Sequence, residues 1–336
     1  PELHAGDIGA LAKLSGAMTT DSLSTRANPI LFIRTSISEP YTGMRYKAKN
    51  KGDEDKISQA LQKIMQEDLT IKTVNDSANH QTLIYGIGEQ QLEVLVETLK
   101  NKYKVVIELS RPKVAFRETI RGTSDVEYKY KKQSGGHGQY GHVKMRFSPS
   151  GNLEEAYEFS QEVVGGAVPK NFFPAVEKGL QEGVQKGPLA AYPVLGIKAV
   201  LYDGSYHAVD SSEMAFKVAA REALKKGILE AKPVLLEPIA SLKITLPDVY
   251  TGDVMGDLNK KRARVLGMTP DNKGTTEILA DIPYIELYGY GTRLRSMTQG
   301  SGDFSYQFAR YEQAPEEVAR VQMEERASKL ASEEDK

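Results

Sequence analysis

The sequence predicts a multidomain α+β protein, with two ferredoxin-like βαββαβ sandwiches flanking a central α+β domain and remnant β-barrel strands at the N-terminus. Three observations lead there. The order strand, helix, strand, strand, helix, strand runs twice, over residues 28–109 and 237–312, with no visible residue identity between the two passes. Residues 110–236 mix long alternating strands with two helical stretches, and the tail, 313–336, is one charged helix. At 336 residues the chain is long enough for two or more domains, each burying its own core.

Composition narrows the function classes. A hydrophobic content of 40% and a charged content of 26% are those of a soluble globular protein. No apolar run approaches the roughly 20 residues that span a bilayer, which points to a cytoplasmic chain. A net charge of -1 supplies no global field towards nucleic acid, so any such binding must come from local patches. The absence of cysteine excludes disulfides, thiolate metal sites and cysteine nucleophiles. The opening PELHAGDIGALAKL lacks both a methionine and a signal-peptide pattern, and reads as the middle of a longer protein.

Within residues 1–27, IGALAKL and SLSTR are short apolar runs split by GAMTTD, as in the last strands of a barrel. ILFIRTSI then opens the first sandwich as a strand, followed by a lysine-rich polar connection. In DEDKISQALQKIMQED, Ile57, Ala60, Leu61, Ile64 and Met65 share a helical face behind Asp53 as N-cap. Strands TIKTVN and QTLIYGI precede a helix with Leu92, Leu95, Val96, Leu99 and Tyr103 on one side, and KVVIEL closes the unit.

The central region starts with KVAFRETI, passes through a hairpin and continues as AYEFSQEVV. A helix follows with Phe173, Val176, Leu180 and Val184 as its buried stripe, ended by Gly187 and Pro188. VLGIKAVLYDG is a strand running into a polar loop, residues 204–210, and then a helix capped by Ser211 or Ser212 and carrying Met214, Val218 and Leu224 inward. The second sandwich takes VLLEPIASLKITL and GDFSYQFARYE as outer strands, with DVMGDLNKKRA and PYIELYGYGTRLRSM as helices. From Pro315 the tail helix offers Val318 and Val321 for docking, with Met323 off that stripe.

The stretch YKYKKQSGGHGQYGHVKMRF, residues 128–147, is the candidate site. Lys129, Lys131, Lys132, Lys144 and Arg146 lie on two alternating arms with no acid between them. Gly135, Gly136, Gly138 and Gly141 let the turn adopt positive φ and let a phosphate backbone approach main-chain N–H groups. Gln133, Ser134, His137, Gln139, Tyr140 and His142 add hydrogen-bonding and stacking groups suited to irregular RNA. A solvated hairpin edge guarded by lysines fits the same pattern, so both readings stay open on this stretch alone. Gly136, Gly138 and Gly141 also spell G-x-G-x-x-G, but HVKMRF continues as a strand instead of opening a helix, which rules out the dinucleotide reading.

Other chemistry is weaker. No G-x-x-x-x-G-K-[ST] occurs, so this chain has no P-loop. His137 and His142 have no carboxylate cluster around them to complete a metal set. His207, Asp210 and Ser211 are the residue types of a hydrolase triad, yet they lie within one tight loop, where base, orienter and nucleophile cannot easily face one another. Ser211 reads better as a cap, Asp210 as charge at the helix N-terminus, and His207 as an exposed contact group. In the second sandwich Lys260, Lys261, Arg262 and Arg264 cluster at a helix end, and Arg293 and Arg295 on the other helix suggest a phosphate-facing surface. The helix dipole alone also favours cations at that end.

QSGGHGQYGHV, DGSYHAVDSSEMAFK, GDVMGDLNKKRARVLGM, LYGYGTRLRSMTQG and AGDIGALAKL together resemble elongation factor G, the bacterial ribosomal translocase, over essentially the whole chain. The resemblance implies the end of barrel domain II (1–27), domain III (28–109), domain IV (110–236), domain V (237–312) and a final helix packing back on domain IV. It implies a non-enzymatic, monomeric fragment whose parent is a translational GTPase, with GTP and Mg in a G domain absent here. The implied tip of domain IV, residues 133–140 with Gly204, Ser205, Tyr206, His207 and Asp210, contacts the ribosomal decoding centre, tRNA and mRNA, and the implied domain V faces large-subunit RNA. Departures from the family pattern are His137 where arginine is usual, Glu89, Gln90 and Gln91 in place of Glu-Leu-His, and Ser301 with Gly302. They suggest a divergent paralogue serving translocation, ribosome recycling or another task; a ribosomal protection factor is the alternative from a different class.

Overall fold

The computed structural model describes residues 2–14, 16–34, 37, 40–76, 79, 81–132, 138–271 and 273–334, with side chains described as far as 328. The chain divides into two compact units. One holds Pro1–Lys113, Leu242–Ala280 and Ile285–Tyr306; the other holds Val114–Ser241, Asp281–Tyr284 and Gln307–Lys336.

The first sandwich begins at β1 (Thr42–Ala48), followed by α1 (Glu54–Glu67), β2 (Lys72–Asp76), β3 (Gln81–Gly86), α2 (Glu89–Tyr103) and β4 (Ile107–Ser110). Its sheet order is β2-β3-β1-β4, all antiparallel, the arrangement a βαββαβ chain reaches with each helix crossing one face. Ile57, Ala60, Leu61 and Ile64 of α1 and Leu92, Leu95 and Leu99 of α2 form its core with Ile84 and Ile107. Asp53 stands at the N-cap position but makes no side-chain cap; its carboxylate instead accepts from Lys56 Nζ at 3.4 Å. Gln91 replaces a cap with longer reach, accepting from Ile87 N–H at 2.8 Å and donating to Asp68 and Thr70 at 2.9 and 2.7 Å.

Two expectations fail at the N-terminal side. Among the described residues of 2–34 no strand forms, and no barrel is closed. Ile8 is 100% and Ile33 98% exposed, so these apolar runs have neither a neighbouring strand to pair with nor a core to face. The opening strand of the sandwich is therefore TGMRYKA, where Met44, Tyr46 and Ala48 pack on the core.

The central domain contains β5 (Arg117–Ile120), β6 (Ser124–Lys132), β7 (Gln139–Pro149), β8 (Tyr157–Gln161), α3 (Phe173–Gly183), β9 (Ile197–Ser205) and α4 (Glu213–Glu230). Strands run β6-β7-β9-β8, with β8 and β9 parallel. The inward-facing side is α4's small-residue stripe, Ala215, Ala219, Ala220, Ala223 and Gly227, with Phe216, Leu224 and Ile228. Met214, expected inward, is 57% exposed. Small residues let the helix sit close: the Phe147 ring fills the space a side chain at Gly227 would need, and Lys217's carbonyl does the same at Gly179. Glu118, fully buried, fastens the following loop by accepting from the N–H groups of Leu189, Ala190 and Tyr192 at 2.9, 2.8 and 3.0 Å.

The second sandwich comprises β10 (Pro233–Pro247), α5 (Thr251–Lys260), β11 (Arg264–Pro270), β12 (Thr275–Pro283), α6 (Tyr290–Met297) and β13 (Asp303–Gln313). Its order, β11-β12-β10-β13, repeats that of the first sandwich, and β5 adds to the start of β10. Leu242, Ile244 and Leu246 alternate inward with Val254, Leu258, Ile278 and Leu294 also buried. The last helix, α7 (Glu316–Glu334), lies beside the central domain: Arg326 stacks 5.6 Å above Tyr192, and Met323 and Ala327 line a 570 Å³ cavity with Leu224 and Ile228. Met323 thus faces inward and Val321 is exposed, contrary to expectation, while Val318 is half-buried. No described helix is long and apolar enough to cross a membrane.

Candidate nucleic-acid interface

The lysine-rich arms form a hairpin: β6 and β7 pair from Ser124↔Phe147 to Lys132↔Gln139 without a slip. Alternation along β6 turns Ser124 and Val126 inward and Lys129 and Lys131 outward, and Lys132, at the strand's end on the opposite face, is exposed too. None of these three lysines has a carboxylate partner among the described residues. Residues 133–137, which include Gln133, Ser134, Gly135, Gly136 and His137, lie outside the described residues.

The second loop joins the hairpin through β9. Across the sheet Lys129 pairs with His142 and His142 with Ser205, while a register shift between Lys144 and Met145 accommodates Tyr202 as a bulge. Tyr202 donates its hydroxyl to Asp125, which pushes the tyrosine pKa up to about 12, and its ring lies 5.4 Å beneath Arg146. Lys144 pairs with Asp203 at 2.9 Å, an interaction that raises the lysine and lowers the carboxyl. Arg146 is 3.9 Å from Asp125. These two cations of the hairpin are thus shared with acids of their own sheet.

At the outer end, Ser205 Oγ lies 2.7 Å from both Tyr140 Oη and His142 Nδ1. His142 is buried; its Nε2 is 2.8 Å from Glu127 but out of line for a good hydrogen bond. Burial lowers its pKa, with Lys129 and Lys144 adding to the effect against Glu127, so the ring is mainly neutral at pH 7. It is a packing group and not, as the sequence suggested, a contact group. Gly141 is required by close approach: a Cβ there would stand 2.5 Å from the Ala215 carbonyl. Gly204 is likewise pressed against the His142 carbonyl.

Asp210 bridges the loops. Its Oδ1 accepts from Gly138 N–H at 3.0 Å, its carbonyl accepts from Tyr140 N–H at 2.8 Å, and its Oδ2 lies 3.3 Å from His207 Nδ1. Ser211 Oγ accepts from the backbone N–H of His207 at 2.9 Å, so the hydroxyl faces an amide and not the imidazole that a nucleophilic serine needs. The helix cap is Ser212, accepting from Ala215 N–H at 3.2 Å. What faces outward is Tyr206 (50% exposed), His207 and Val209 (63%), with Gln139 exposed on the hairpin side. Sequence reading passed over Val209; an apolar residue inside the otherwise polar run SYHAVDSS was the available signal.

On the second sandwich most candidate cations are engaged. Arg293 holds the buried Asp257 at 2.5 Å, Arg295 donates to Tyr41 Oη at 2.8 Å, and Lys261 reaches the Glu286 carbonyl at 3.1 Å. Arg262 lies 3.6 Å from the Glu286 carboxylate. Lys260 is exposed without a partner among the described residues, and Arg264 is exposed on β11. The sequence has no P-loop, and no three His, Asp or Glu side chains converge among the described residues.

Comparison with known proteins gives three matches along the chain. Residues 37–111 match elongation factor G domain III, 112–232 match elongation factor G domain IV, and 234–322 match the elongation factor G C-terminus. A crystal structure of ttk003000868 from Thermus thermophilus is similar at 38% identity and a TM-score of 0.77, over 92% of this chain. The chain spans 46% of that protein's chain, about half its length. With three consecutive matches in family order on the predicted architecture, the chain belongs to the elongation factor G family, carrying its domains III, IV and C-terminal domain.

Proposed function

We propose that this chain is the ribosome-binding arm of a cytoplasmic translational GTPase and that it promotes GTP-dependent translocation of tRNA and mRNA. The end of the β6–β7 hairpin and the loop after β9 enter the decoding centre, and the second sandwich faces large-subunit RNA. The observation that carries this reading is the outer end of the hairpin: three exposed lysines without carboxylate partners among the described residues, beside exposed Tyr206, His207 and Val209. Cations there neutralise phosphates, and the ring groups offer stacking faces to unpaired bases. GTP and Mg belong to a guanine-nucleotide domain of the whole protein, so this arm, a monomer, works by shape and charge.

The test is co-sedimentation of the 336-residue chain with purified bacterial ribosomes, comparing it with a K131A/K132A/H207A variant. A variant at least about tenfold weaker, a loss of about 1.4 kcal/mol, supports the reading. Equal affinity removes the hairpin end from the function. In the whole protein the same variant slows single-round translocation, whereas a protection factor would lose the ability to release a decoding-centre inhibitor.

A further inference from the structure

We infer that Asp210 is a positioning residue, the clasp that fixes the loop after β9 to the hairpin end, and does not itself touch RNA. Four bonds cross between segments 63 to 72 residues apart. Asp210 Oδ1 takes the Gly138 amide at 3.0 Å, the Asp210 carbonyl takes the Tyr140 amide at 2.8 Å, and Ser205 Oγ joins Tyr140 and His142 at 2.7 Å each. Tyr140 and Ser211 also form a parallel bridge, so the register runs Lys131–Tyr140–Ser211 across the end of the sheet. A Cβ at Gly138 would stand 3.1 Å from the Asp210 carboxyl carbon, so the carboxylate is seated against backbone.

The chemistry argues for this role. A carboxylate facing phosphates repels them, whereas a carboxylate accepting a backbone N–H is a strong, short-range tie. With Asp210 turned towards Gly138, the residues left outward are Tyr206, His207 and Val209, and the loop holds them beside the lysines of β6. Ordering the loop before binding spares the complex the entropy of ordering it afterwards.

This inference rests on the RNA-contacting role proposed above, and the experiment separates the two. Hydrogen exchange of the Gly138 and Tyr140 amides and affinity for purified ribosomes are measured on the full chain for wild type, D210A and D210N. Asparagine keeps an acceptor oxygen but no charge. The clasp predicts that D210A, which removes the acceptor of the Gly138 amide, exposes that amide at least about tenfold, weakens ribosome affinity severalfold, and is rescued by D210N. If D210A and D210N both bind more tightly, Asp210 acts as a bare charge; if the Gly138 amide exchanges as in wild type, there is no clasp. Faster exchange with unchanged affinity, while K131A/K132A/H207A still loses affinity, refutes positioning and leaves the proposed function standing. If that variant binds like wild type, the proposed function fails, and with it the positioning role.

Discussion

Lys129, Lys131 and Lys132 make a quantitative test, because all three are exposed and none is neutralised by a described acid. Each phosphate contact contributes about 0.7 to 0.9 to the slope of log affinity against log salt, through release of condensed counterions. Three contacts therefore account for about 2 to 3 of that slope. Between about 50 and 200 mM salt, this corresponds to roughly 15- to 60-fold in affinity arising from these side chains alone. Binding of the chain to purified ribosomes is measured by filter retention or fluorescence anisotropy across that range for wild type, K129A/K131A/K132A and K129R/K131R/K132R. The alanine variant is expected to lose about 2 to 3 units of slope and the arginine variant to keep them. An alanine variant with the wild-type slope would show that no phosphate lies near these lysines, whatever its affinity at one salt concentration.

Two further expectations concern residues that hold the scaffold. E118A leaves the amides of Leu189, Ala190 and Tyr192 without their acceptor in a buried site, a cost of about 3 to 5 kcal/mol, read as lost exchange protection of those three amides; wild-type protection would refute the tie. Burial raises the Glu118 pKa against the opposing pull of the same amides, so the carboxyl's stabilising contribution is complete below its ordinary value near 4.5 and fades as pH rises through the raised one. The stability gap between wild type and the permanently neutral E118Q is therefore widest in acid and narrows towards neutrality. In the second sandwich, R293A strands the buried Asp257 and costs about 2 to 3 kcal/mol, less than a fully buried pair because the arginine is half exposed. Unchanged thermal stability together with weaker ribosome binding would make Arg293 an RNA contact and not a structural one.

The amphipathic helices were legible because large aliphatic residues mark their period: Ile57, Leu61 and Ile64 in α1, Leu92, Leu95 and Leu99 in α2. β1 was not, since Arg45 and Lys47 between Met44, Tyr46 and Ala48 read as a polar connection, while ILFIRTSI carried a stronger apolar signal although its Ile30, Leu31, Phe32 and Ile33 are exposed. The inner face of α4 escaped for a related reason. Alanines and Gly227 contribute little hydrophobicity, and their value lies in how closely they let Phe147 and α3 approach. At the site, the lysine hairpin and its partner loop were both visible as segments. Their joining was not, because the Gly138–Asp210 and Tyr140–Ser205 bonds depend on a register fixed by β7 and β9, which no local pattern encodes.

Net charge says little about where such a chain binds; the placement of its acids says more. Around the hairpin the nearby described carboxylates have occupations within the fold: Asp125 with Tyr202 and Arg146, Glu127 beside His142, Asp203 with Lys144, Asp210 with Gly138. Lys144 and Arg146, lower on β7, fall within reach of these acids and are neutralised. Lys129, Lys131 and Lys132 are not, although the whole chain carries a net charge of -1. The positive field is thereby confined to the last residues of β6, within about one Debye length, roughly 8 to 10 Å, at physiological salt. A positive surface so small exerts little pull at a distance, so the RNA contact proposed for it is one made at short range, after encounter and not by steering.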